Sequence, residues 1–310
     1  MRVVFMGTPE FAVAPLEHLV VNHYQVVAVY TQPDKVAGRG RTLVYSPVKE
    51  TAIKWQIPVI QPVRLRKPEA VQQLADLKPD IIVVAAYGQI LPQTVLDIPV
   101  YGCINIHPSL LPRYRGVSPV PATIMSGDEF AGVTIMKMDL HLDTGPMLVK
   151  AQIPVSAHDT SGSLMSRLSI ISGHLLLEAL PRWTAGSLPA RIQDDNEASY
   201  SNMISKEDGI IDWSIPAVDI WRRVRAFLPW PGSFTRWKGK QLKILEAIPS
   251  AEESSQEPGT VIKLNDGSFG VVTGEGVLGV LKVQLEGKRA MNATDFVRGQ
   301  REFPGDILPS

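Results

Sequence analysis

The chain has 310 residues with 31 basic and 31 acidic side chains, so any basic surface for nucleic acid must come from placement rather than from excess charge. Its single cysteine, Cys103, excludes an internal disulfide and a cysteine-based zinc site. The 45% hydrophobic content suits a globular protein, and with no signal-peptide or membrane-spanning run we expect a cytoplasmic one without membrane contact.

The first half of the chain alternates strand-like and helix-like patterns. Strands are predicted at 2–6, 24–30, 57–60 and 80–86, and helices at 9–21, 46–56 and 67–77. The run 80–86 is continuous and largely β-branched, as is typical of a central parallel strand covered on both faces. We therefore predict an α/β fold with a doubly wound, mostly parallel, Rossmann-like sheet.

The pattern changes in the second half. A further strand up to residue 107 is followed by predicted helices at 118–126 and 161–180 and predicted strands at 133–138 and 147–155. Residues 193–199 are polar and aperiodic and predict a surface connection. A helix at 217–227 then precedes short strands separated by glycines, at 241–248, 259–264, 270–273 and 276–285. This spacing is typical of a small β-barrel or sandwich, so we predict domains at 1–190 and 210–310 joined by a linker at 191–209.

The strand that ends near residue 107 carries the candidate active site. Asn105 and His107 are two residues apart, so on a strand both side chains point to the same face. Pro108 and Pro112 then force an irregular loop, at the edge where open α/β sheets build their ligand sites. An amide and an imidazole can stabilise charge and move protons during attack on a carbonyl or formyl carbon. No activated-serine motif is present, which favours direct transfer over an acyl-enzyme.

A carboxylate on a later turn is the candidate partner of His107. Asp143 precedes Thr144 and Gly145 at the end of an apolar run, where its side chain can simply hold a sharp turn. A carboxylate can equally fix the tautomer of His107 or favour its charged form. We expect no metal, because no tight histidine pair or acidic ligand motif is present.

Two other features of the sequence indicate what kind of molecule the protein binds. The turn at Gly7 lacks the glycines and free N–H groups of a phosphate cradle, which argues against the usual dinucleotide mode. A loop rich in glycine carries Lys35, Arg39 and Arg41, either as solvated surface or as a segment that folds over an anionic partner.

A second basic group with nearby tryptophans is either a helix face plus a hairpin or an RNA contact. Its members are Arg222, Arg223, Arg225, Arg236, Lys238 and Lys240.

Taken together, these stretches resemble the methionyl-tRNA formyltransferase family over nearly the whole chain. The most specific pieces are Gly-Thr-Pro-Glu-Phe at 7–11, Thr-Gln-Pro-Asp at 31–34, Gly-Arg-Gly at 38–40, Ala-Tyr-Gly-Gln-Ile-Leu-Pro at 86–92, the stretch 105–116, Leu-Asp-Thr-Gly at 142–145 and Pro-Trp-Pro-Gly at 229–232. A purine-pathway relative shares the proline after the histidine, but it is distinguished by a phosphate-binding first loop and by the lack of a second domain.

The resemblance implies roles for particular residues. Asn105, His107 and Asp143 match the catalytic trio of enzymes that use 10-formyltetrahydrofolate. The implied folate-contacting segment is Ser109, Leu110, Leu111 and Pro112, and the implied wall of the pterin pocket is Gln89, Ile90 and Leu91. The loop with Lys35, Arg39 and Arg41 corresponds to the family's insertion that reaches the tRNA acceptor end. The second domain is implied to be OB-like and to bind tRNA.

The activity implied is transfer of the formyl group of 10-formyltetrahydrofolate to the α-amine of methionyl-initiator tRNA, by a monomer. One alternative is a sibling enzyme that formylates a small amine such as a sugar amine, or that hydrolyses the formyl-folate. The glycine-flanked basic loop and the second domain argue against it. The other alternative is a non-catalytic RNA- or folate-binding protein, which would not require all three of Asn105, His107 and Asp143.

Overall fold

The computed structural model describes residues 1–37 and 42–309. They divide into two compact units. The first unit comprises residues 1–119, 130–154 and 165–201, and the second comprises residues 120–129, 155–164 and 202–310. Within the described residues, no helix is both long enough and apolar enough to cross a membrane.

The strands and helices follow one another along the described chain with short connections. In chain order the strands are β1 (Arg2–Gly7), β2 (Gln25–Tyr30), β3 (Lys35–Ala37), β4 (Thr42–Val44), β5 (Val59–Ile60), β6 (Ile81–Ala85), β7 (Cys103–His107), β8 (Arg115–Gly116), β9 (Phe130–Lys137), β10 (Met147–Pro154), β11 (Tyr200–Ser201), β12 (Ser233–Trp237), β13 (Lys240–Ser250), β14 (Val261–Lys263), β15 (Phe269–Val272), β16 (Val277–Leu285) and β17 (Met291–Asn292). The helices are α1 (Val13–Val21), α2 (Pro47–Lys54), α3 (Pro68–Asp76), α4 (Gln93–Leu96), α5 (Pro119–Ser126), α6 (Ser161–Thr184), α7 (Ala217–Ala226) and α8 (Ala293–Gly299).

The first unit is built on a seven-stranded sheet in the order β10-β9-β7-β6-β1-β2-β5. The five strands from β7 to β5 are parallel. At the β7 edge, β9 pairs antiparallel with β7, and β10 pairs antiparallel with β9. Every residue of β6 is buried, so both faces of the sheet are covered, as its β-branched run predicts. The predicted Rossmann-like α/β sheet is therefore confirmed, as a mixed sheet with a parallel centre.

The strand β7 lies where the sheet changes direction. It pairs parallel with β6, placing Asn105 opposite Val84, and antiparallel with β9, placing Asn105 opposite Met136 and His107 opposite Thr134. Because β9 runs antiparallel to β7, it ends beside the first residues of β7. The chain after β9 must therefore turn back along β7 to reach Asn105 and His107. Residues 139–146 make that turn between β9 and β10.

A small hairpin is found near Lys35, where the sequence predicted only a glycine-rich loop. Strands β3 and β4 pair antiparallel, with Lys35 opposite Val44. Two short three-residue strands leave almost no periodicity to read in a sequence, which is why they were not predicted. Residues 38–41, and with them Arg39 and Arg41, lie outside the described residues.

The second unit has an antiparallel sheet in the order β12-β13-β16-β15-β14, with β17 added to β16. Four aromatic rings that pack edge-on or tilted form the centre of its core: Trp237, Phe269, Phe296 and Phe303. The strand pairings among residues 202–309 leave β12 and β14 at opposite edges, so they form an open sheet rather than a closed barrel. A C-terminal domain built on short antiparallel strands is thus found as predicted.

Candidate active site

Three polar side chains from two parts of the chain meet beside β7. Asn105 Nδ2 donates a hydrogen bond to Asp143 Oδ1 at 3.3 Å, and His107 Nδ1 lies 3.7 Å from Asp143 Oδ2. Asn105 and His107 share a face because they are two residues apart on a strand. Asp143 reaches them from the turn between β9 and β10. The structure therefore brings together the three residues that the sequence proposed as catalytic.

A backbone carbonyl fixes the orientation of the His107 ring. His107 is only 4% exposed, and its Nε2 lies 2.9 Å from the carbonyl oxygen of Tyr114. Because a carbonyl oxygen can only accept a hydrogen bond, Nε2 carries a hydrogen. The other ring nitrogen, Nδ1, faces the Asp143 carboxylate.

The Asp143 turn is strained and tightly packed. Asp143 has a φ of +54°, in the left-handed region that costs non-glycine residues about 1–3 kcal/mol. A Cβ on Gly145 would lie 1.8 Å from the carbonyl oxygen of Lys137, so only glycine fits there. The backbone N–H of Gly116 donates to Asp143 Oδ2 at 2.9 Å. These contacts hold the carboxylate beside His107 at the expense of backbone strain.

Hydrogen bonds from neighbouring residues fix the conformation of the candidate folate segment at 109–112. The Ser109 hydroxyl is buried and donates to the carbonyl of Arg113 at 2.7 Å. Thr134 Oγ1 donates to the Ser109 carbonyl at 2.7 Å and accepts from the Leu111 N–H at 3.1 Å. Lys150 Nζ donates to the Leu111 carbonyl, and burial lowers the pKa of this amine. Much of the segment's hydrogen-bonding capacity is therefore used to fix its own shape.

The side chains of the same segment differ in what they can offer a ligand. Leu111 and Pro112 are buried, whereas Leu110 is half-buried. Leu110 also lies close over Gly132, where a Cβ would come within 2.3 Å of its Cδ2. A ligand at this segment would meet the side chain of Leu110 and the backbone rather than the Ser109 hydroxyl.

The candidate pterin wall at 89–91 is also mostly occupied by structural contacts. Gln89 Nε2 donates to the Pro62 carbonyl at 2.8 Å, and Gln89 Oε1 accepts from the Leu65 N–H at 2.7 Å. Leu91 is buried in the core, whereas Ile90 is 86% exposed. Of these three side chains, Ile90 is the one open to a ligand.

Two cavities border the turn at 139–144. The larger, of about 790 Å³, has Cys103 and Met138 in its walls, and burial raises the pKa of the Cys103 thiol to about 12. The smaller, of about 650 Å³, is bounded by Arg115 and Tyr200. Asn105, His107 and Asp143 line neither cavity, so both cavities lie next to the candidate site and do not contain it.

Two buried polar residues behind the turn were not identified from the sequence. Arg115 is 2% exposed and donates to Gln193 Oε1 at 3.0 Å and to Asp195 Oδ1 at 2.8 Å. Burial opposes its charge, but hydrogen bonds to Asp195 and Tyr200 outweigh burial and raise the pKa of the guanidinium. Gln193 was expected on the surface and is 6% exposed. A glutamine inside a polar stretch carries no periodic signal of burial, so sequence reasoning missed it.

The basic residues proposed for an anionic partner are less fully described. Lys35 is exposed at the start of β3, and the other two members of its loop lie outside the described residues. In the second unit Arg225 is buried, with its guanidinium 3.9 Å from the ring centre of Trp221 and 3.1 Å from the Ser156 carbonyl. Burial lowers the pKa of Arg225. Arg225 therefore has a structural role, whereas Arg223, Arg236, Lys238 and Lys240 are exposed.

The side chains at the candidate site decide which chemistry it can carry out. Within residues 1–37 and 42–309, no three His, Cys, Asp or Glu side chains lie close enough together to hold a metal ion. The groups available at the site are an amide, an imidazole and a carboxylate. These can bind a developing oxyanion and move a proton.

Comparison with known proteins agrees with this chemistry. Residues 1–180 match the formyl transferase family, and residues 203–301 match the C-terminal domain of formyl transferases. The chain belongs to the formyl transferase family. Within that family it is 52% identical over 306 residues to the methionyl-tRNA formyltransferase of Dehalococcoides mccartyi, which covers 98% of this chain and 97% of the relative. It is 47% identical over 310 residues to that of Marinobacter nauticus, covering 99% and 100%.

The fold also resembles solved structures of more distant enzymes. An N-formyltransferase from Helicobacter canadensis, in complex with folinic acid and dTDP-3-aminofucose, is 19% identical with a TM-score of 0.67. The match covers 90% of this chain and 97% of that one. At this identity the likeness shows the shared fold alone.

Proposed function

We propose that this protein transfers the formyl group of 10-formyltetrahydrofolate to the α-amine of the methionyl group on initiator tRNA. The observation that carries the proposal is the convergence of Asn105, His107 and Asp143 beside β7. The methionyl-tRNA formyltransferases to which the chain is about half identical support the same substrates.

The reaction is a direct transfer without a covalent enzyme intermediate. The amine nitrogen forms a bond to the formyl carbon, and the electron pair of the C=O bond moves to oxygen. The oxyanion then collapses, the bond to N10 of the folate breaks, and the formamide is formed. The amine loses one proton and N10 gains one, so the reaction needs a group that passes a proton without changing the overall balance.

Each of the three side chains has a role in this scheme. The oxyanion is stabilised as it develops by the second N–H of the Asn105 amide and by the Nδ1–H of protonated His107. The Nε2–H of His107 is already bonded to Tyr114, whereas Nδ1 lies 3.7 Å from Asp143, beyond hydrogen-bond distance. Asp143 lies beside Nδ1 of His107, so it helps to move protons at that nitrogen. The hydrogen bond from Nε2 to the Tyr114 carbonyl keeps the ring in place throughout.

We assign the folate to the loops at the carboxyl end of β7, beside Asn105 and His107. The larger cavity, whose walls include Cys103 at the other end of this strand, is not part of that assignment. The exposed side chain of Ile90 and the fixed backbone at 109–112 provide further contacts. We expect this part of the site to bind the folate by shape and by backbone hydrogen bonds.

The tRNA is bound by basic residues outside the catalytic group. Lys35, Arg39 and Arg41 contact the acceptor end, and the C-terminal domain at 210–310 contributes exposed basic side chains. We also propose that the C-terminal domain is related to the OB fold. This relationship is supported by the long strand β13, which pairs with both β12 and β16 and is bulged between Ile244 and Ala247, as strands that bend around a barrel are.

The same proposal assigns the rest of the chain. Residues 1–190 form the formyl-folate-binding catalytic domain, and 191–209 connect it to the tRNA-binding domain. The enzyme acts in the cytoplasm as a monomer and without a metal.

Formyl transfer to alternative acceptors tests the proposal. The purified protein is incubated with 10-formyltetrahydrofolate carrying a labelled formyl group and with methionyl-initiator tRNA, free methionine or an amino sugar. We expect label to appear on the tRNA at least about tenfold faster than on either small amine. Equal or faster labelling of a small amine would favour a sibling enzyme, and release of labelled formate with every acceptor would favour a hydrolase.

A further inference from the structure

The segment at 193–201 is more than a connection between domains, because it is hydrogen-bonded to the catalytic turn. Gln193 Nε2 donates to the carbonyl oxygens of Asp143 at 2.8 Å and of Gly145 at 2.7 Å. Gln193 Oε1 accepts from Arg115 Nε at 3.0 Å. A carbonyl only accepts and a guanidinium only donates, so these partners fix which end of the amide is nitrogen.

Both N–H groups of the Gln193 amide donate to the turn that carries Asp143, and the backbone of this turn is strained. Asp143 is held at a positive φ, and the carbonyls on either side of Thr144 receive their hydrogen bonds from a buried side chain. A buried polar group that loses its hydrogen-bond partner destabilises the fold by an amount comparable to the strain of a left-handed residue. The Gln193 amide therefore offsets the strain of the turn.

The acceptor end of Gln193 connects the turn to the loop after β7. Arg115 is buried, and the next residue, Gly116, donates its N–H to the Asp143 carboxylate at 2.9 Å. Further along the segment, the Ser199 carbonyl accepts from the Arg115 N–H at 2.8 Å, and the Ser199 hydroxyl accepts from the Tyr114 N–H at 3.0 Å. Tyr114 is the residue whose carbonyl holds His107.

We propose that Gln193 is a positioning residue for the reaction: its amide sets the Asp143 carboxylate against His107 and Asn105 by holding the backbone of the turn. Gln193 is buried and its amide is bonded to Arg115 and to the turn, so we assign it no contact with a substrate. The kinetic effects expected of this inference rest on the proposed function. The placement of the Asp143 turn by Gln193 does not depend on that function.

Gln193→Glu is the sharpest test. It keeps the size of the side chain and an acceptor for Arg115, but removes both donors to the turn. Asn196→Asp is the matched control, since it makes the same amide-to-acid change at an exposed position three residues away. We expect Gln193→Glu to lower kcat by about 10- to 100-fold through misplacement of the carboxylate, with KM for the formyl-folate changed less than about threefold. Asn196→Asp should behave as wild type.

A spectroscopic measurement separates positioning from general stability. In protein labelled with ¹⁵N-histidine, the Nδ1 resonance of His107 should shift in Gln193→Glu and not in Asn196→Asp. If Gln193→Glu does not fold, Gln193→Met, which also lacks the donors, replaces it in both measurements. A variant with kcat within about threefold of wild type and an unchanged His107 resonance would overturn the inference. An inactive wild type would overturn the proposed function, and the resonance comparison would still decide the role of Gln193.

Discussion

At the scale of single residues, the site is organised by backbone groups as much as by side chains. The His107 ring is anchored by the Tyr114 carbonyl, and the Asp143 carboxylate receives the N–H of Gly116. Both backbone groups lie in the loop that follows β7. A change that displaces this loop is therefore expected to disturb the placement of His107 and Asp143 without altering either side chain.

The single cysteine reports on the packing of β7, which carries Asn105 and His107. Cys103 begins β7, is buried, and has a pKa that burial raises to about 12. The thiolate is the reactive form, so the folded protein should react very slowly with a disulfide reagent such as DTNB at pH 8. In guanidinium chloride the one thiol should react fully. Rapid, complete reaction of the native protein would show that β7 is not packed as described.

At the scale of elements, the hairpin of β3 and β4 is tied to α2 by a network at its base. Asp34 precedes β3 and accepts from Lys49 Nζ at 2.5 Å and from Gln61 Nε2 at 2.8 Å. These hydrogen bonds lower the pKa of Asp34. Lys49 Nζ also lies 3.8 Å from the ring centre of Tyr45, just after β4. Both ends of the hairpin are thus anchored through the same lysine.

Asp34→Asn should loosen this anchor in a pH-dependent way. The folded pKa is lower than the unfolded one, so the stabilisation by Asp34 is present above about pH 4 and is lost as pH falls through the folded pKa. We expect the variant to have a lower Tm than wild type at pH 7, with the difference narrowing below about pH 4. The KM for tRNA should rise while the KM for formyl-folate does not. Equal Tm values at pH 7 would contradict the anchor.

Sequence reasoning recovered the elements that have strong local patterns. The parallel strands were predicted from apolar runs, and Asn105 with His107 from their spacing before Pro108. Asp143 was proposed on chemistry and resemblance, because nothing local shows that a turn after β9 folds back onto β7. Gln193 was missed because its contacts lie 50 residues away in the chain, at Asp143, and its neighbours are exposed. Long-range hydrogen bonds of this kind leave no periodicity.

At the scale of the whole molecule, equal numbers of basic and acidic residues mean that net charge does not attract tRNA. Binding must depend on local contacts between exposed cations and phosphates, which release counterions and weaken with salt. We expect the KM for methionyl-initiator tRNA to rise severalfold between about 50 and 200 mM salt. The KM for 10-formyltetrahydrofolate, measured in the same series at saturating tRNA, should change far less. A tRNA KM that is independent of salt would contradict binding through basic side chains.

The central claim is that His107, oriented by Tyr114 and paired with Asp143, is an acid–base group in formyl transfer. The most direct measurement is the single-turnover rate of formylation of methionyl-initiator tRNA by wild type and His107→Ala, with the exposed His158→Ala as control. Loss of such a group typically costs about 10²- to 10⁴-fold, and we predict a loss in this range for His107→Ala and a wild-type rate for the control. A His107→Ala rate within about threefold of wild type would contradict the account.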